Sequence, residues 1–453
     1  MYQHKVEFKK IGLAIIIGFI AFIISLTLFN QTQSLLLGLI ALLVTLWTNE
    51  GLPLGVVSLL PIILFPAFSI LSTKATAMNY SHPIIYLFLG GFMLAIAVEK
   101  SSLHTYIADK ILGFFPNTPR GMIFSLALTS GLLSSILSNT TTTLLLISIA
   151  LFITNDPKLK MRFALAIAYG ASVGGILTPI GTPPNLILLG IMSDKGMEPI
   201  AFFQWVVMVA PLVLVMLSAV SFLLSIGVSS KAIPREKKIH TLNMDQKKIL
   251  SVLGGLVFIL LINAPIKPYW DGFGLSEAGM LLGAGLLLFM PPFSVLNWEE
   301  DAKKIPYKIM FLFGAGFSIA KAFGATGLAD AVASYLIVLT ELPPMILLLS
   351  IAALITFTTE ITSNTALISI MLPVIYSVAQ QTGIDTTLFM MVATVCASYA
   401  FMLPIATAPN AIAMSSGVVH VTSMIRYGII LNLLGIFLIV MIAEFFWKGI
   451  LTS

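Results

Sequence analysis

The chain has 453 residues, of which 58% are hydrophobic and only 9% are charged. A soluble protein carries about 25% charged residues, whereas many uncharged runs here exceed the ~20 residues that a helix needs to cross a bilayer. The sequence therefore predicts an all-α polytopic membrane protein. The net charge of +5 is explained by basic cytoplasmic loops and does not indicate a nucleic-acid partner. Cys396 is the only cysteine, which excludes an intrachain disulfide and a cysteine metal cluster.

The first 116 residues predict four membrane helices followed by an interfacial helix. Lys5, Lys9 and Lys10 precede the first apolar run and place the N-terminus in the cytoplasm. No small-residue cleavage site follows that run, so we expect a retained helix rather than a signal peptide. The membrane helices are expected at about 11–29, 34–48, 52–70 and 83–100, and the interfacial helix at about 103–115.

The next uncharged segment, 121–155, predicts a re-entrant hairpin. It is too short for two full crossings, which need about 40 residues, and it carries the polar run Ser138-Asn139-Thr140 in its middle. Basic residues flank both ends of the segment, so both ends are expected in the cytoplasm. The polar run would then be the hairpin tip. The alternative is a pair of short ordinary helices joined by a polar loop.

A broken helix follows at 163–193, a segment without charge. Within it, residues 178–185 contain three prolines and a glycine, which remove backbone donors and interrupt the helix near mid-membrane. Broken backbone at that depth is tolerated where it is buried in protein or lines a cavity. A sixth helix is expected at about 204–228, and the basic segment 229–248 is expected to be a solvated linker between the two halves.

The second half repeats this order with the opposite orientation. Its hairpin, at about 342–379, is flanked by Glu341 and Asp385 without any Lys or Arg, so it is expected to enter from outside. Each repeat contributes five spans, an odd number, so the two repeats must be inverted. The remaining helices are expected at about 249–265 and 275–291, from about 309 onward, at 386–415, where the helix is broken, and in a last segment that ends at about 447. In total the sequence predicts eleven transmembrane helices and two re-entrant hairpins.

A constant offset of 225 positions relates the two halves. We define the first tip as Ser138-Asn139-Thr140 and the second tip as Ser363-Asn364-Thr365; the first turn is 180–185 and the second turn is 405–410. The two tips are separated by this offset, the two turns are separated by the same offset, and so are Ser134 and Thr359. In a membrane protein, such a duplication indicates a binding site between the repeats.

The residue types at the tips and turns suit an anion together with a cation. Helix ends at mid-membrane present N–H groups and partial positive charge to an anion. Ser, Asn and Thr side chains donate to carboxylates and offer oxygens to a cation, and unwound carbonyls around Gly181 and Ala406 would add oxygen ligands for sodium. Neither motif contains Lys or Arg, so the anion would be held by dipoles, hydroxyls, amides and sodium. The alternative is that the polar triplets only join helices to each other.

Two charged residues within the expected membrane segments have no assigned role. Glu360 lies next to the second tip and is matched by Ser135 at the offset. Lys321 lies within the helix expected from about 309 and is matched by Ile96 at the offset. An intramembrane charge is a candidate functional residue by default, although Lys321 could simply extend its amine toward the interface or pair with an acid.

With its two Ser-Asn-Thr tips, paired proline turns and opposed hairpins, the chain resembles the divalent anion/sodium symporter family of INDY-type dicarboxylate and citrate carriers. The resemblance covers essentially the whole chain. It implies a homodimer in which a transport domain carries the substrate across the membrane as an elevator beside a scaffold domain. The scaffold would comprise 1–116 and 230–341, and the transport domain 117–229 and 342–453.

The resemblance also implies which residues bind substrate and sodium. The substrate site would comprise Ser138, Asn139, Thr140, Thr182, Ser363, Asn364, Thr365 and Thr407. The first sodium site would comprise Ser134, Ser138, Asn139 and Gly181. The second sodium site would comprise Thr359, Thr362, Asn364 and Ala406. Leu137 occupies the position in the first half that is equivalent to Thr362 in the second half, so the two cation sites are not expected to be identical.

These features predict a sodium-coupled symporter of the C4-dicarboxylates succinate, malate and fumarate. The nearest alternative is a sodium-independent exchanger of dicarboxylate, citrate or tartrate. A channel would need a continuous polar pore, and an enzyme would need a nucleophile or metal cluster, so neither is expected. We expect a multi-pass protein of the inner (plasma) membrane, surrounded by lipid, with a cytoplasmic N-terminus, an external C-terminus and no organic cofactor.

Overall fold

The structure is a computed structural model that describes residues 2–228, 241–264, 270, 272–336 and 342–451. The secondary-structure elements in these ranges are helices. The linker expected at 229–248 lies mostly outside the described residues. In the first half the helices are α1 (Tyr2–Ser25), α2 (Gln31–Asn49), α3 (Leu54–Ala67), α4 (Thr73–Met78), α5 (Pro83–Lys100), α6 (Leu103–Phe114), α7 (Pro119–Ser134), α8 (Asn139–Ile153), α9 (Pro157–Gly175), α10 (Pro183–Asp194) and α11 (Phe202–Ser225).

The second half follows the same order of helices. It comprises α12 (Met244–Asn263), α13 (Glu277–Leu287), α14 (Trp298–Asp301), α15 (Tyr307–Ala325), α16 (Leu328–Leu336), α17 (Pro344–Thr359), α18 (Asn364–Thr382), α19 (Thr386–Cys396), α20 (Ala408–Ser415), α21 (Val421–Ile442) and α22 (Lys448–Leu451), with a π-helical turn at Ala443–Trp447 between the last two. Several helices begin at equivalent positions: α7 and α17, α8 and α18, α10 and α20, and α6 and α16 each start 225 residues apart. The offset in the sequence is therefore also present in the secondary structure.

Proline and hydroxyl caps determine where the hairpin arms begin. Pro119 and Pro344 lie in the first turn of α7 and α17, where a missing N–H removes no helical hydrogen bond. Thr118 caps α7 by accepting a hydrogen bond from the Gly121 amide at 3.1 Å. The local sequence thus favours the start of each arm at these positions.

Seven helices in the described ranges are long and apolar enough to cross a membrane, and four further apolar helices are shorter. The helices expected at about 34–48 and 83–100 correspond to α2 and α5. The helix expected at about 275–291 is shorter, because α13 ends at Leu287 ahead of Pro291 and Pro292. The short helices α4, α14 and α16 were not predicted. The count of eleven spans and the re-entrant course of the hairpins stay predictions.

The first hairpin and the broken helix share a closely packed core. Helix α7 packs against α9 and α11, and α9 also contacts α8 and α20. The α7–α9 crossing depends on glycine, since a Cβ on Gly174 would overlap the Gly131 carbonyl. A second hydrophobic cluster lies between α2, α3, α15 and α16 and includes one face of α18. Helix α18, which begins within the second tip, contributes to both clusters.

An ion pair joins the end of α5 to the loop before α15. Asp301 accepts hydrogen bonds from Lys100 at 2.6 Å, from Lys304 at 3.0 Å and from the Asn297 amide at 2.9 Å. Burial alone would raise the pKa of Asp301, but these hydrogen bonds outweigh it and lower the pKa to about 2. The charged carboxylate therefore stabilises this loop against the end of α5.

Candidate functional site

The first tip is the junction between α7 and α8. Ser138 caps α8: its hydroxyl accepts from the Thr141 amide at 3.1 Å and donates to Thr141 Oγ1 at 2.9 Å. Asn139 is the first residue of α8, and its Oδ1 accepts from the fully buried Ser134 hydroxyl at 2.5 Å. Ser138 and Thr140 are exposed. The tip therefore presents its polar side chains to solvent while Asn139 is tied back to α7.

The second tip, between α17 and α18, has the same central contact. The Thr359 hydroxyl donates to Asn364 Oδ1 at 2.6 Å, as Ser134 does to Asn139. The same hydroxyl oxygen also lies 2.9 Å from the Ala397 carbonyl oxygen. Ser363 precedes α18 in the cap position but makes no side-chain hydrogen bond to the helix. The Ser363 hydroxyl is thus available to a ligand, whereas that of Ser138 is engaged with Thr141.

Each turn is braced by an asparagine at its end. Asn185 Nδ2 donates to the Thr178 carbonyl at 2.9 Å, and Asn410 Nδ2 donates to the Leu403 carbonyl at 3.0 Å. These are equivalent contacts, because both the donors and the acceptors are 225 residues apart. Asn410 also donates to the Ala400 carbonyl at 2.9 Å. Both asparagines are fully buried, and they satisfy carbonyls that the broken helices leave without a helical partner.

The two asparagines were not predicted as functional residues from the sequence. Asn185 and Asn410 end the two paired turns, so their recurrence at the offset was a signal that could have identified them.

The two halves join tip to turn in different ways. In the first half, the Thr178 hydroxyl donates to the Ser135 carbonyl at 2.5 Å. In the second half, the carboxylate of Glu360 accepts hydrogen bonds from the backbone of the broken helix, at Phe401, Met402 and Leu403, over 2.8–3.0 Å. The Glu360 side chain thus connects the second tip to the backbone that precedes the second turn.

One cavity of about 1200 Å³ brings the predicted substrate residues together. All eight of them line it: Ser138, Asn139, Thr140, Thr182, Ser363, Asn364, Thr365 and Thr407. Gly181, Thr362 and Ala406 line it as well, while Ser134 and Thr359 are fully buried behind the two tip asparagines. The cavity extends to the charged residues Glu50, Glu99, Lys304 and Lys308. Lys321 is exposed on α15 and does not belong to this lining.

Four helix N-termini meet at the cavity. Helices α8, α10, α18 and α20 begin directly after Ser138, Thr182, Ser363 and Thr407, and each of these cap residues lines the cavity. Helix N-termini carry unpaired N–H groups and partial positive charge, which stabilise a bound anion. The arrangement can therefore bind an anion without a cationic side chain at either tip.

Two clusters of oxygen atoms lie behind the tips. Ser134 Oγ and Asn139 Oδ1 form the first; Thr359 Oγ1, Asn364 Oδ1 and the Ala397 carbonyl form the second. In the second cluster three oxygens share one hydroxyl hydrogen, so lone pairs outnumber donors. The Thr362 hydroxyl donates to the Thr358 carbonyl at 2.8 Å and leaves its own lone pairs free. Such oxygen-rich clusters suit a hard monovalent cation.

The profile of the citrate transporter family matches residues 40–395. The chain belongs to this family. It is 30% identical to the sodium-dependent dicarboxylate transporter SdcS of Staphylococcus saprophyticus, over 98% of this chain and 93% of that protein. It is 29% identical to the SdcS of Staphylococcus aureus, over 96% of this chain and 90% of that protein. The resemblance to the divalent anion/sodium symporters is thereby confirmed.

Solved transporter structures share the fold. The YdaH transporter of Alcanivorax borkumensis superposes with a TM-score of 0.61 at 16% identity, over 93% of this chain and 99% of that one. MtrF of Neisseria gonorrhoeae gives a TM-score of 0.58 at 13% identity, with 82% of each chain covered. Family membership and the apolar helices make this chain a multi-pass membrane transport protein rather than an enzyme.

Proposed function

We propose that the protein is a sodium-coupled symporter of C4-dicarboxylates such as succinate, malate and fumarate. The observation that carries this proposal is the single cavity lined by all eight residues of the two tips and turns. Two relatives that match nearly the whole chain are sodium-dependent dicarboxylate transporters, which supports both the substrate class and the coupling ion.

The two tips suit the two ends of a dicarboxylate. Each tip offers the amide of an asparagine and the hydroxyl of a threonine, and the N-termini of α10 and α20 line the same cavity. One carboxylate would bind at Asn139, Thr140 and Thr182, and the other at Asn364, Thr365 and Thr407. Because these donors are neutral, the net charge of the loaded site depends on the accompanying cations.

Sodium would bind at the two oxygen clusters. In the first site, Ser134 and Asn139 would act with Ser138 and the Gly181 carbonyl. In the second site, Thr359, Thr362 and Asn364 would act with the Ala406 carbonyl, and the Ala397 carbonyl is a further oxygen within reach of Thr359. Sodium bound at these positions would hold each tip asparagine in place and add positive charge beside the substrate.

The cavity's position favours alternating access by an elevator motion. Its lining combines residues of α2, α3, α5 and α15 of the expected scaffold (1–116 and 230–341) with the tips and turns of the expected transport domain (117–229 and 342–453). The charged residues at its edge, Glu50, Glu99, Lys304 and Lys308, all belong to segments expected in the cytoplasm. We therefore infer an inward-open state of an inverted-repeat transporter with eleven helices and two re-entrant hairpins.

We further propose that the protein works as a homodimer in the plasma membrane. Each scaffold would hold its partner in place while the transport domains move independently. The N-terminus would be cytoplasmic and the C-terminus external, as the basic loops indicate.

The proposal is tested by uptake of radiolabelled succinate into proteoliposomes. An inward sodium gradient is compared with potassium, in empty and in succinate-preloaded vesicles. Uptake into empty vesicles that requires sodium is the expected result. Uptake confined to preloaded vesicles and indifferent to sodium would instead show a dicarboxylate exchanger and contradict the two sodium sites.

A further inference from the structure

Glu360 is a buried carboxylate that belongs neither to the proposed substrate site nor to the proposed sodium ligands. The residue is only 3% exposed. Oε1 accepts from the Phe401 amide at 2.8 Å, the Met402 amide at 2.9 Å and Asn432 Nδ2 at 2.7 Å, and Oε2 accepts from the Leu403 amide at 3.0 Å. All four donors are uncharged N–H groups. An acceptor-only carboxylate fits this set, and successive backbone N–H groups form a nest that stabilises an anion.

These hydrogen bonds join the two sides of the second sodium site. On the hairpin side, Glu360 directly follows Thr359, whose hydroxyl belongs to the second oxygen cluster. On the side of the broken helix, the residues bound by Glu360 are separated only by Pro404 from the second turn, which would supply the Ala406 carbonyl. The Asn432 contact anchors the same carboxylate to α21. Movement of Glu360 would therefore shift ligands on both sides of the site.

The first half lacks this charge. Ser135 stands at the equivalent position, and the neutral hydrogen bond from the Thr178 hydroxyl to the Ser135 carbonyl replaces the carboxylate. The repeats therefore differ in charge beside otherwise similar oxygen clusters.

We propose that Glu360 is a positioning residue that holds the second sodium site in its binding geometry and makes it the tighter of the two sites. This inference rests on the proposed sodium coupling. A fixed negative charge close to a cation favours its binding in an interior where water does not screen the attraction. The backbone nest keeps the carboxylate from coordinating sodium directly, so Glu360 acts through Thr359 and the second turn.

The test compares three purified variants with the unaltered protein in proteoliposomes. Glu360→Gln keeps the size and removes the charge, and Glu360→Asp keeps the charge on a shorter side chain. Thr178→Val removes the equivalent neutral tie in the first half and is the matched control. The readouts are the sodium concentration for half-maximal succinate uptake, the succinate KM at saturating sodium, and the sodium-dependent rise in thermal midpoint in detergent.

We expect Glu360→Gln to raise the half-maximal sodium concentration about tenfold, with a smaller change in succinate KM once sodium is saturating. Glu360→Asp should recover part of this loss because it restores the charge. Thr178→Val should change the sodium requirement less than about threefold, because no charge is removed.

An unchanged sodium requirement in folded Glu360→Gln, even with a lower maximal rate, would overturn the inference and leave Glu360 a purely structural role. If Glu360→Gln does not fold, Asn432→Leu removes one of the four donors and should raise the sodium requirement in the same direction. An unchanged requirement in Asn432→Leu would then overturn the inference. A lack of sodium dependence in the unaltered protein would instead contradict the proposed function itself.

Discussion

Gly175→Ala tests whether the Asn139 amide acts in the site. Gly175 ends α9 beside the first tip, and a Cβ there would lie 2.7 Å from Asn139 Oδ1 and 3.1 Å from Nδ2. Ordinary contact begins at 3.4 Å, so the amide must move by about 0.7 Å. The obstructing atoms belong to the end of a side chain, so the backbone can remain in place. The substitution therefore displaces a proposed ligand with little effect on the fold.

The expected loss of succinate affinity follows from the hydrogen bonds of Asn139 that this shift weakens. One or two contacts to the substrate or sodium, at about 1–3 kcal/mol in total, correspond to an about 5- to 150-fold weaker succinate affinity. The assay is equilibrium succinate binding at saturating sodium, with the thermal midpoint measured on the same preparation. We expect weaker binding with a nearly unchanged midpoint, because alanine is favoured over glycine in a helix.

Two other glycines provide matched controls for Gly175→Ala. A Cβ on Gly254 of α12 would meet nothing within 4 Å, so Gly254→Ala should leave both affinity and stability unchanged or slightly improved. A Cβ on Gly174 would overlap the Gly131 backbone, so Gly174→Ala should lower the thermal midpoint. Gly175→Ala with unaltered succinate affinity and unaltered stability would refute the assignment of Asn139 to the site.

Three further substitutions probe the second sodium site, the second turn and the cytoplasmic loop. Thr359→Val removes an oxygen from the second cluster and should raise the half-maximal sodium concentration for uptake about tenfold; no change would argue against sodium there. Asn410→Ala removes the Asn410 Nδ2 hydrogen bonds to the Ala400 and Leu403 carbonyls, of which Leu403 keeps the Ala406 amide as a donor. It should lower the free energy of unfolding by about 1–3 kcal/mol, measured as a lower thermal midpoint with reduced transport. Asp301→Asn should lower the free energy of unfolding by about 2 kcal/mol at pH 7, because the lowered pKa of Asp301 stabilises the fold above about pH 4. This contribution is lost as the pH falls toward 2. The midpoints of Asp301→Asn and the unaltered protein should therefore converge near pH 2, and equal midpoints at pH 7 would contradict the role of the ion pair.

Much of the site could be predicted because its signals are local and occur twice. The tips are polar triplets within uncharged segments, and the turns contain prolines that cannot continue a helix. The same offset would also have predicted α16, since α6 begins at Leu103 and α16 at Leu328. The interfacial helix expected at about 103–115 was not carried across to the second half, so α16 was not predicted.

The role of Glu360 could not be predicted in the same way. Its partners, residues 401–403 and Asn432, are distant in sequence, and periodicity does not reveal a hydrogen bond between them. Its repeat counterpart, Ser135, contributes a backbone carbonyl rather than a side chain, so comparison of the halves suggested a mismatch instead of a shared function. The Ala397 carbonyl was missed for a related reason, because a backbone oxygen carries no residue-type signal.

The central claim is that one binding site is formed jointly by both repeats. The most direct test is equilibrium binding of radiolabelled succinate at saturating sodium to purified Asn139→Ala and Asn364→Ala, one variant from each tip. Asn243→Ala, at the cap of α12 far from both tips in the sequence, is the control and should bind normally. The account predicts that each tip variant alone loses succinate binding by at least about tenfold. Normal binding by either folded tip variant would contradict a site shared between the two repeats.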